Sequence, residues 1–201
     1  MMIRAVIFDL GNVIVPFDTK RGYEALAKVN GLPPEEIKRR IAATGAVQPF
    51  EMGKIEPQEF VRKISEALEL EVSYERFCEL WSSIFLPEPL LPEQLIAGLK
   101  GRYQLLVLSN TNAIHFAMIR SRYPIMRLFD DYVLSYEVGA MKPSPEMYRA
   151  AIERSRCAPE EIFFTDDLEV NVEAARRHGM VAVRFESAKQ LEEELRRRGL
   201  L

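Results

Sequence analysis

The chain has 201 residues, with 27 Lys and Arg against 30 Asp and Glu, a net charge of −3. At 48% hydrophobic and 28% charged residues it is too apolar for wholesale disorder, and it is long enough to bury a core as one domain or as a core domain with a small insert. The charge balance excludes a strongly basic nucleic-acid binder, and Cys78 and Cys157, far apart, make neither a disulfide scaffold nor a zinc ribbon.

The first apolar run, residues 3–8, stops at Asp9, too short and too soon charged for a signal peptide. No apolar stretch approaches the roughly 20 residues that span a bilayer. A soluble, cytoplasmic protein is expected, a monomer or a weak homodimer, without membrane or nucleic-acid partners. Residues 3–8 read as a strand buried on both faces of a parallel sheet. The pattern returns at 105–108, ending at Ser109 and Asn110, and at 132–134, ending at Ser135. It returns again at 162–164, ending at Thr165, Asp166 and Asp167, and at 181–183. Helical stretches at 112–122, 145–155, 169–178 and 189–198 alternate with these runs. Such alternation implies right-handed crossovers and an α/β, doubly wound, parallel-sheet (Rossmann-like) core.

Residues 16–88 break the rhythm with four amphipathic helical segments, near 20–30, 34–44, 57–70 and 73–85. Gly31, Gly45 and Gly53 punctuate them, Pro34 and Pro57 open two of them, and Pro87 and Pro89 close the segment. The organisation read from this is a core of residues 1–15 and 89–201, interrupted by an all-helical cap at 16–88. The cap carries 10 basic and 13 acidic residues, which leaves the core neutral.

Four polar clusters lie at or beyond the ends of expected strands: Asp9-Leu10-Gly11-Asn12, Ser109-Asn110-Thr111, Lys142-Pro143 and Asp166-Asp167. In open parallel sheets that edge binds ligands. Together the clusters offer hard oxygen ligands for a metal, donors and a cation for a phosphate, and a carboxylate to attack phosphorus.

In order, Phe8-Asp9-Leu10-Gly11-Asn12-Val13-Ile14, Leu108-Ser109-Asn110, Met141-Lys142-Pro143 and Phe164-Thr165-Asp166-Asp167 resemble the four motifs of the haloacid dehalogenase-like (HAD) hydrolases. The resemblance spans nearly the whole chain, including a helical cap between the first and second motifs. Within the family it is closest to the small α-D-glucose-1-phosphate phosphatases. It implies that Asp9 is a nucleophile forming an aspartyl-phosphate. Mg²⁺ would then be held by Asp9, the Gly11 carbonyl and Asp166, with Asp167 acting through water or as an orienting neighbour. Ser109 and the amide of Asn110 would hold phosphate oxygens, with Gly11 and Asn12 beside the substrate. Lys142 would offset the charge of Asp9 and the phosphate.

One departure stands out. Most phosphatases of the family carry a second Asp two residues after the nucleophile, as general acid and base; here that residue is Gly11. A small phosphate ester with an easy leaving group, such as glucose 1-phosphate, fits this best. A metal-independent 2-haloacid dehalogenase, or a non-catalytic protein that binds phosphate or a partner, are the alternatives. Asp167 or Asp18 could stand in for the missing acid.

Simpler roles compete for single residues. Ser109 and Asn110 suit the cap of the helix expected at 112, and Asp166 and Asp167 that of the helix expected at 169. Asn171 reads as a neighbour of Asp166, His115 as a packed or solvent-facing histidine, His178 as a helix-end residue and Trp81 as cap core. The crossings between cap and core are expected near 15–17 and 87–92. Asp18, Lys20, Arg21, Phe50, Glu51 and Met52 are the cap residues expected to face the site. The acidic cap suits a small neutral polyol on one phosphate.

Overall fold

The computed structural model describes residues 2–201, so residue 1 of the expected core lies outside the described residues. Five strands, β1 (Ala5–Phe8), β2 (Gln104–Ser109), β3 (Asp131–Leu134), β4 (Ile162–Asp166) and β5 (Val181–Arg184), form one parallel sheet in the order β3-β2-β1-β4-β5. The apolar runs are continuous because successive residues point to opposite, equally buried faces. Val6, Phe8, Leu105, Val107 and Phe163 pack into one apolar layer. Ala5, Ile7, Leu106, Leu108, Ile162 and Phe164 pack into the other. The chain builds outward from β1 through β2 to β3, then crosses to β4 and β5 on the other side. The order reverses at β1, which puts the crevice of the fold beside Asp9.

Between β1 and β2 lie α1 (Thr19–Asn30), α2 (Pro34–Ala43), α3 (Val47–Glu51), α4 (Pro57–Leu68) and α5 (Tyr74–Trp81). Asp18 caps α1 by accepting from Lys20 N–H, and Ser73 caps α5 by accepting from Arg76 N–H. Proline opens α2 and α4, where its missing N–H would have no helical partner anyway. The helices enclose an apolar cluster of their own, with Leu26, Ile37, Ile41, Phe50, Phe60, Ile64 and Phe77, and Ile114 reaches it from the core. Phe50 stacks on Phe60 at 4.1 Å.

Two expected segments end early. The one read as 57–70 stops at Leu68 because Glu69 adopts a left-handed conformation, and the one read as 73–85 passes from α5 into a 3₁₀ turn at Ser82–Ile84. The short α3 carries too few residues for a visible period.

The two connections between insert and core run side by side. Asp18 N–H donates to the Ile84 carbonyl at 2.8 Å, Leu86 N–H to Pro16 at 3.0 Å and Leu90 N–H to Ile14 at 2.8 Å. The second crossing, expected near 87–92, therefore pairs from residue 84 onward. Pro87 and Pro89 have no N–H to donate, so the bonds fall on Leu86 and Leu90.

Beyond the insert, α6 (Glu93–Ala97), α7 (Ala113–Arg122), α8 (Ser135–Val138), α9 (Pro145–Ser155), α10 (Glu169–Arg177) and α11 (Ala188–Arg197) complete the chain. Helices α6, α7 and α11 cover one face of the sheet, α9 and α10 the other. Among the described residues, no helix is long and apolar enough to cross a membrane.

Candidate active site

Asp9 sits one residue beyond β1, its N–H bonded to the Thr165 carbonyl at 2.9 Å. Leu10 N–H donates to Asp9 Oδ1 at 2.7 Å. A single turn follows, in which Ile14 and Val15 N–H both return to the Leu10 carbonyl. Asn12 closes that turn in a left-handed conformation, φ 54°, which asparagine tolerates better than most residues. Its Oδ1 accepts from Phe17 N–H at 3.3 Å. The side chain expected beside the substrate is thus engaged in shaping its own loop.

Lys142, in the loop between α8 and α9, is buried, and its Nζ lies 2.8 Å from Asp9 Oδ1 and 2.6 Å from Asp166 Oδ2. Asp166, the fully buried last residue of β4, also accepts from Leu168 N–H at 2.9 Å and from Asn171 Nδ2 at 3.0 and 3.1 Å. Asn171 is the neighbour of Asp166 that its spacing suggests, and Tyr148 fixes its backbone by donating to the Asn171 carbonyl at 3.0 Å. One carboxylate oxygen each from Asp9, Asp166 and Asp167 lie within 4.8 Å of one another.

Burial raises the Asp9 carboxyl to about 7; Lys142 opposes the rise and the charge on Asp166 adds to it. Burial also works against charge on Lys142, but its two carboxylate partners outweigh it and hold its pKa above the ordinary lysine value. Lys142 therefore stays charged between its two partners. The Asp167 carboxyl is raised by burial and by Asp166. With Asp9 ionised, three carboxylates around one ammonium leave an excess of negative charge, which suits a divalent cation with oxygen ligands.

Ser109 ends β2 and is buried. The helix cap expected at Ser109 and Asn110 falls instead on Asn112, which accepts from His115 N–H. The side chain of Asn110 is engaged with the lysine loop, which leaves its main-chain N–H for the phosphate-holding role expected of the residue. Its Oδ1 accepts from Lys142 N–H at 2.7 Å and its Nδ2 donates to the Lys142 carbonyl at 3.0 Å, clamping the lysine loop to the end of β2. Ser135 does the same for the next residue, donating to the Thr111 carbonyl and accepting from Thr111 N–H. The sequence offered only a serine ending an apolar run as a sign of that role.

A cavity of about 190 Å³ opens between core and insert. Leu10, Gly11, Ser109 and Asn110 line its core end; Tyr23, Leu26, Ile41 and Glu51 line the insert end. Gly11 bears on the missing second Asp. A Cβ built there would lie 2.8 Å from Cε1 of Phe17, so the ring of Phe17 fills the space in which an acid side chain would start. A Gly11→Asp substitution alone is therefore expected to displace the part-exposed ring of Phe17 and to lower turnover. Adding Phe17→Ala should restore turnover and raise rates on alkyl phosphates more than on aryl phosphates. A double-mutant cycle in kcat/KM checks this, and additive effects would remove the steric account.

His115, on α7, closes the cavity against the insert. The Trp81 carbonyl only accepts, so the His115 Nε2–H donates to it at 3.1 Å, and Nδ1 accepts from Asn112 Nδ2 at 3.1 Å. The ring stacks on Trp81 at 5.7 Å and meets Phe85 edge-on at 5.0 Å. Burial pushes its pKa from 6.5 down to about 4, the Trp81 carbonyl opposing the shift. The folded value lies below the unfolded one, so the unfolded chain binds more protons between them and stability falls as pH falls through that window. From pH 7.5 to 5 the wild type should lose about 2 kcal/mol more than His115→Gln, read from denaturant unfolding.

A parallel doubly wound sheet with a cluster of carboxylates beyond its carboxyl edge, beneath a helical insert, is an α/β fold with its candidate ligand site at the point where the strand order reverses. The pattern of the haloacid dehalogenase-like hydrolases matches residues 3–179. The chain belongs to that family. It is 28% identical to a D-ribitol-5-phosphate phosphatase from Bacteroides thetaiotaomicron, over 96% of this chain and 97% of that one. It is 32% identical to phosphatase MT3486 of Mycobacterium tuberculosis, over 90% of this chain and 87% of that one. A HAD family enzyme from B. thetaiotaomicron, solved in complex with magnesium and inorganic phosphate, superposes with a TM-score of 0.82 at 29% identity, covering 92% of this chain and 95% of the other.

Proposed function

We propose that the protein is a Mg²⁺-dependent phosphatase that hydrolyses a small phosphorylated sugar or polyol through a covalent aspartyl-phosphate on Asp9. The observation that carries this is Lys142 Nζ bridging Asp9 and Asp166 at 2.8 and 2.6 Å where three carboxylates converge beside the cavity. Asp9, Asp166 and Asp167 are the residues to hold the metal, with the Gly11 carbonyl as a further oxygen. Bound there, Mg²⁺ supplies positive charge that keeps Asp9 ionised and draws charge from the phosphoryl oxygens.

The rest falls to the chain itself. Leu10 N–H and Lys142 both meet Oδ1 of Asp9, which leaves Oδ2 the freer oxygen for attack. The bond from Asp9 to phosphorus forms as the ester bond breaks, and the leaving oxygen departs with its electron pair and takes up a proton from solvent water. Water then adds to phosphorus, and the aspartyl bond breaks to return the carboxylate and release phosphate. Lys142, the Ser109 hydroxyl and the Asn110 main-chain N–H hold the phosphoryl oxygens, while Asn110 and Asn171 keep Lys142 and Asp166 in place. The insert acts as a cap that excludes water. A metal-free halide displacement would leave the three converging carboxylates without a use.

The cavity, apolar on most walls, suits a five- or six-carbon polyol. The relative named for D-ribitol 5-phosphate acts on a primary phosphate ester. The absence of an acid at Gly11 favours instead an anomeric ester such as glucose 1-phosphate. Phosphate release from ribitol 5-phosphate, glucose 1-phosphate, glucose 6-phosphate and an aryl phosphate, with Mg²⁺ and then with EDTA, separates these. Metal-dependent release is expected, faster from glucose 1-phosphate than from glucose 6-phosphate. No release from any ester overturns the proposal. Two free cysteines, Cys78 and Cys157, fit a reducing cytoplasm.

A further inference from the structure

Of the six insert residues expected to face the site, five have other occupations or lie outside it. Asp18 caps α1, Lys20 and Arg21 are exposed, Phe50 is in the insert's own core, and Met52 caps the end of α3. Glu51 is different. It is the last residue of α3 and part of the cavity wall, and it is only partly exposed. Its carboxyl takes part in none of the hydrogen bonds or ion pairs among the described residues, and burial alone raises its pKa. A carboxylate on a cavity wall with no protein partner is placed to accept hydrogen bonds from a ligand that enters.

Two further features of the cavity point to such a ligand. Trp81, which also lines the cavity, has a buried indole N–H with no partner among the described residues. The walls toward the insert include Tyr23, Leu26, Ile41, Val47 and Ile84, suited to the C–H faces of a carbohydrate. The end of α3 is also held rigidly. Gly53 N–H returns to Phe50 and Lys54 N–H to Pro49, and Gly53 is seated against the Tyr136 carbonyl of α8. A carboxyl on a fixed support serves as a recognition group. Its charge repels a phosphate, so it reads the other end of the substrate.

We infer that Glu51 is the group that binds the hydroxyls of the leaving alcohol and so sets selectivity for polyol and sugar phosphates over phosphates without hydroxyls. This rests on the phosphatase reading of the core site. Specificity arises because a polar group left unpaired penalises the wrong substrate, an effect that reaches orders of magnitude when the group is buried.

The test uses the full chain with Glu51→Gln and Glu51→Leu, each checked for folding by thermal unfolding. Ribitol 5-phosphate and glucose 1-phosphate serve as hydroxyl-bearing substrates, and p-nitrophenyl phosphate as one whose leaving group has none to offer. For Glu51→Leu, the ratio of kcat/KM between the better polyol ester and the aryl ester should fall at least tenfold, mainly through KM. Glu51→Gln keeps an acceptor oxygen and should fall between Leu and wild type; being nearly isosteric, it also decides the matter where Leu does not fold. An unchanged ratio with active enzyme overturns the role of Glu51 and leaves the phosphatase reading standing. A wild type that hydrolyses none of the three overturns both.

Discussion

Asp9→Asn is expected to abolish phosphate release, by at least about 10⁴-fold, while making the metal-free protein more stable. The loss follows from the chemistry, because an amide oxygen does not form the acyl-phosphate that a carboxylate forms. The gain follows from the electrostatics. Asp9 titrates near 7 because burial and the Asp166 charge disfavour its ionised form more than Lys142 favours it. A group whose folded pKa is raised loses stability as pH rises toward that value, and Asn, always neutral, escapes this loss. Lys142 keeps its 2.6 Å pair with Asp166 in the variant, so no buried cation is stranded.

Thermal unfolding at pH 8 in EDTA should therefore place Asp9→Asn above wild type. Mg²⁺ should raise the wild-type midpoint more, because the variant has lost one of the three carboxylates proposed to hold it. Residual turnover near the wild-type rate excludes covalent catalysis by Asp9. A lower midpoint in EDTA would show that the Asp9–Lys142 contact outweighs the burial of Asp9.

The parts of this site that were legible in the sequence share a cause. Asp9, Ser109 and Asp166 each end or follow an apolar run, and a parallel sheet delivers the ends of such runs to one edge. Lys142 and Asn171 could be named because their motif or spacing ties them to Asp9 and Asp166. The residues that shape the site through side-chain contacts at long range left no such trace. Asn110 looked like a phosphate ligand or a helix cap, yet its side chain grips both main-chain groups of Lys142, 32 positions away. Asn12 turned out to brace Phe17, and Phe17 to fill the space over Gly11. His115 read as an ordinary packed histidine; its place at the seam depends on Trp81, 34 residues earlier, which no periodicity links to it. Helix α3 was missed because five residues make barely more than one turn, although it carries Glu51 to the cavity.

The contact that seats α3 on the core gives the second large effect. Gly53→Ala is expected to lower kcat/KM by about 100-fold or more while leaving the insert folded. Gly53 ends α3 with φ 64°, and a Cβ there would lie 2.0 Å from the Tyr136 carbonyl oxygen, a backbone atom that has no rotamer to change. Relief requires the end of α3 to move off α8 by at least about 1 Å, and a displacement of that size in a group that positions substrate lowers rates by about 10²-fold. The left-handed backbone adds about 1–2 kcal/mol of strain for any residue with a Cβ. Strain and collision separate cleanly, because Gly45 has φ 61° with nothing within 4 Å of its would-be Cβ. Gly45→Ala should lose similar stability and keep its turnover. If both variants lose activity alike, strain in the insert is the cause and the seat on Tyr136 does not matter to catalysis. If only Gly53→Ala loses it, the rate depends on where the insert rests on the core.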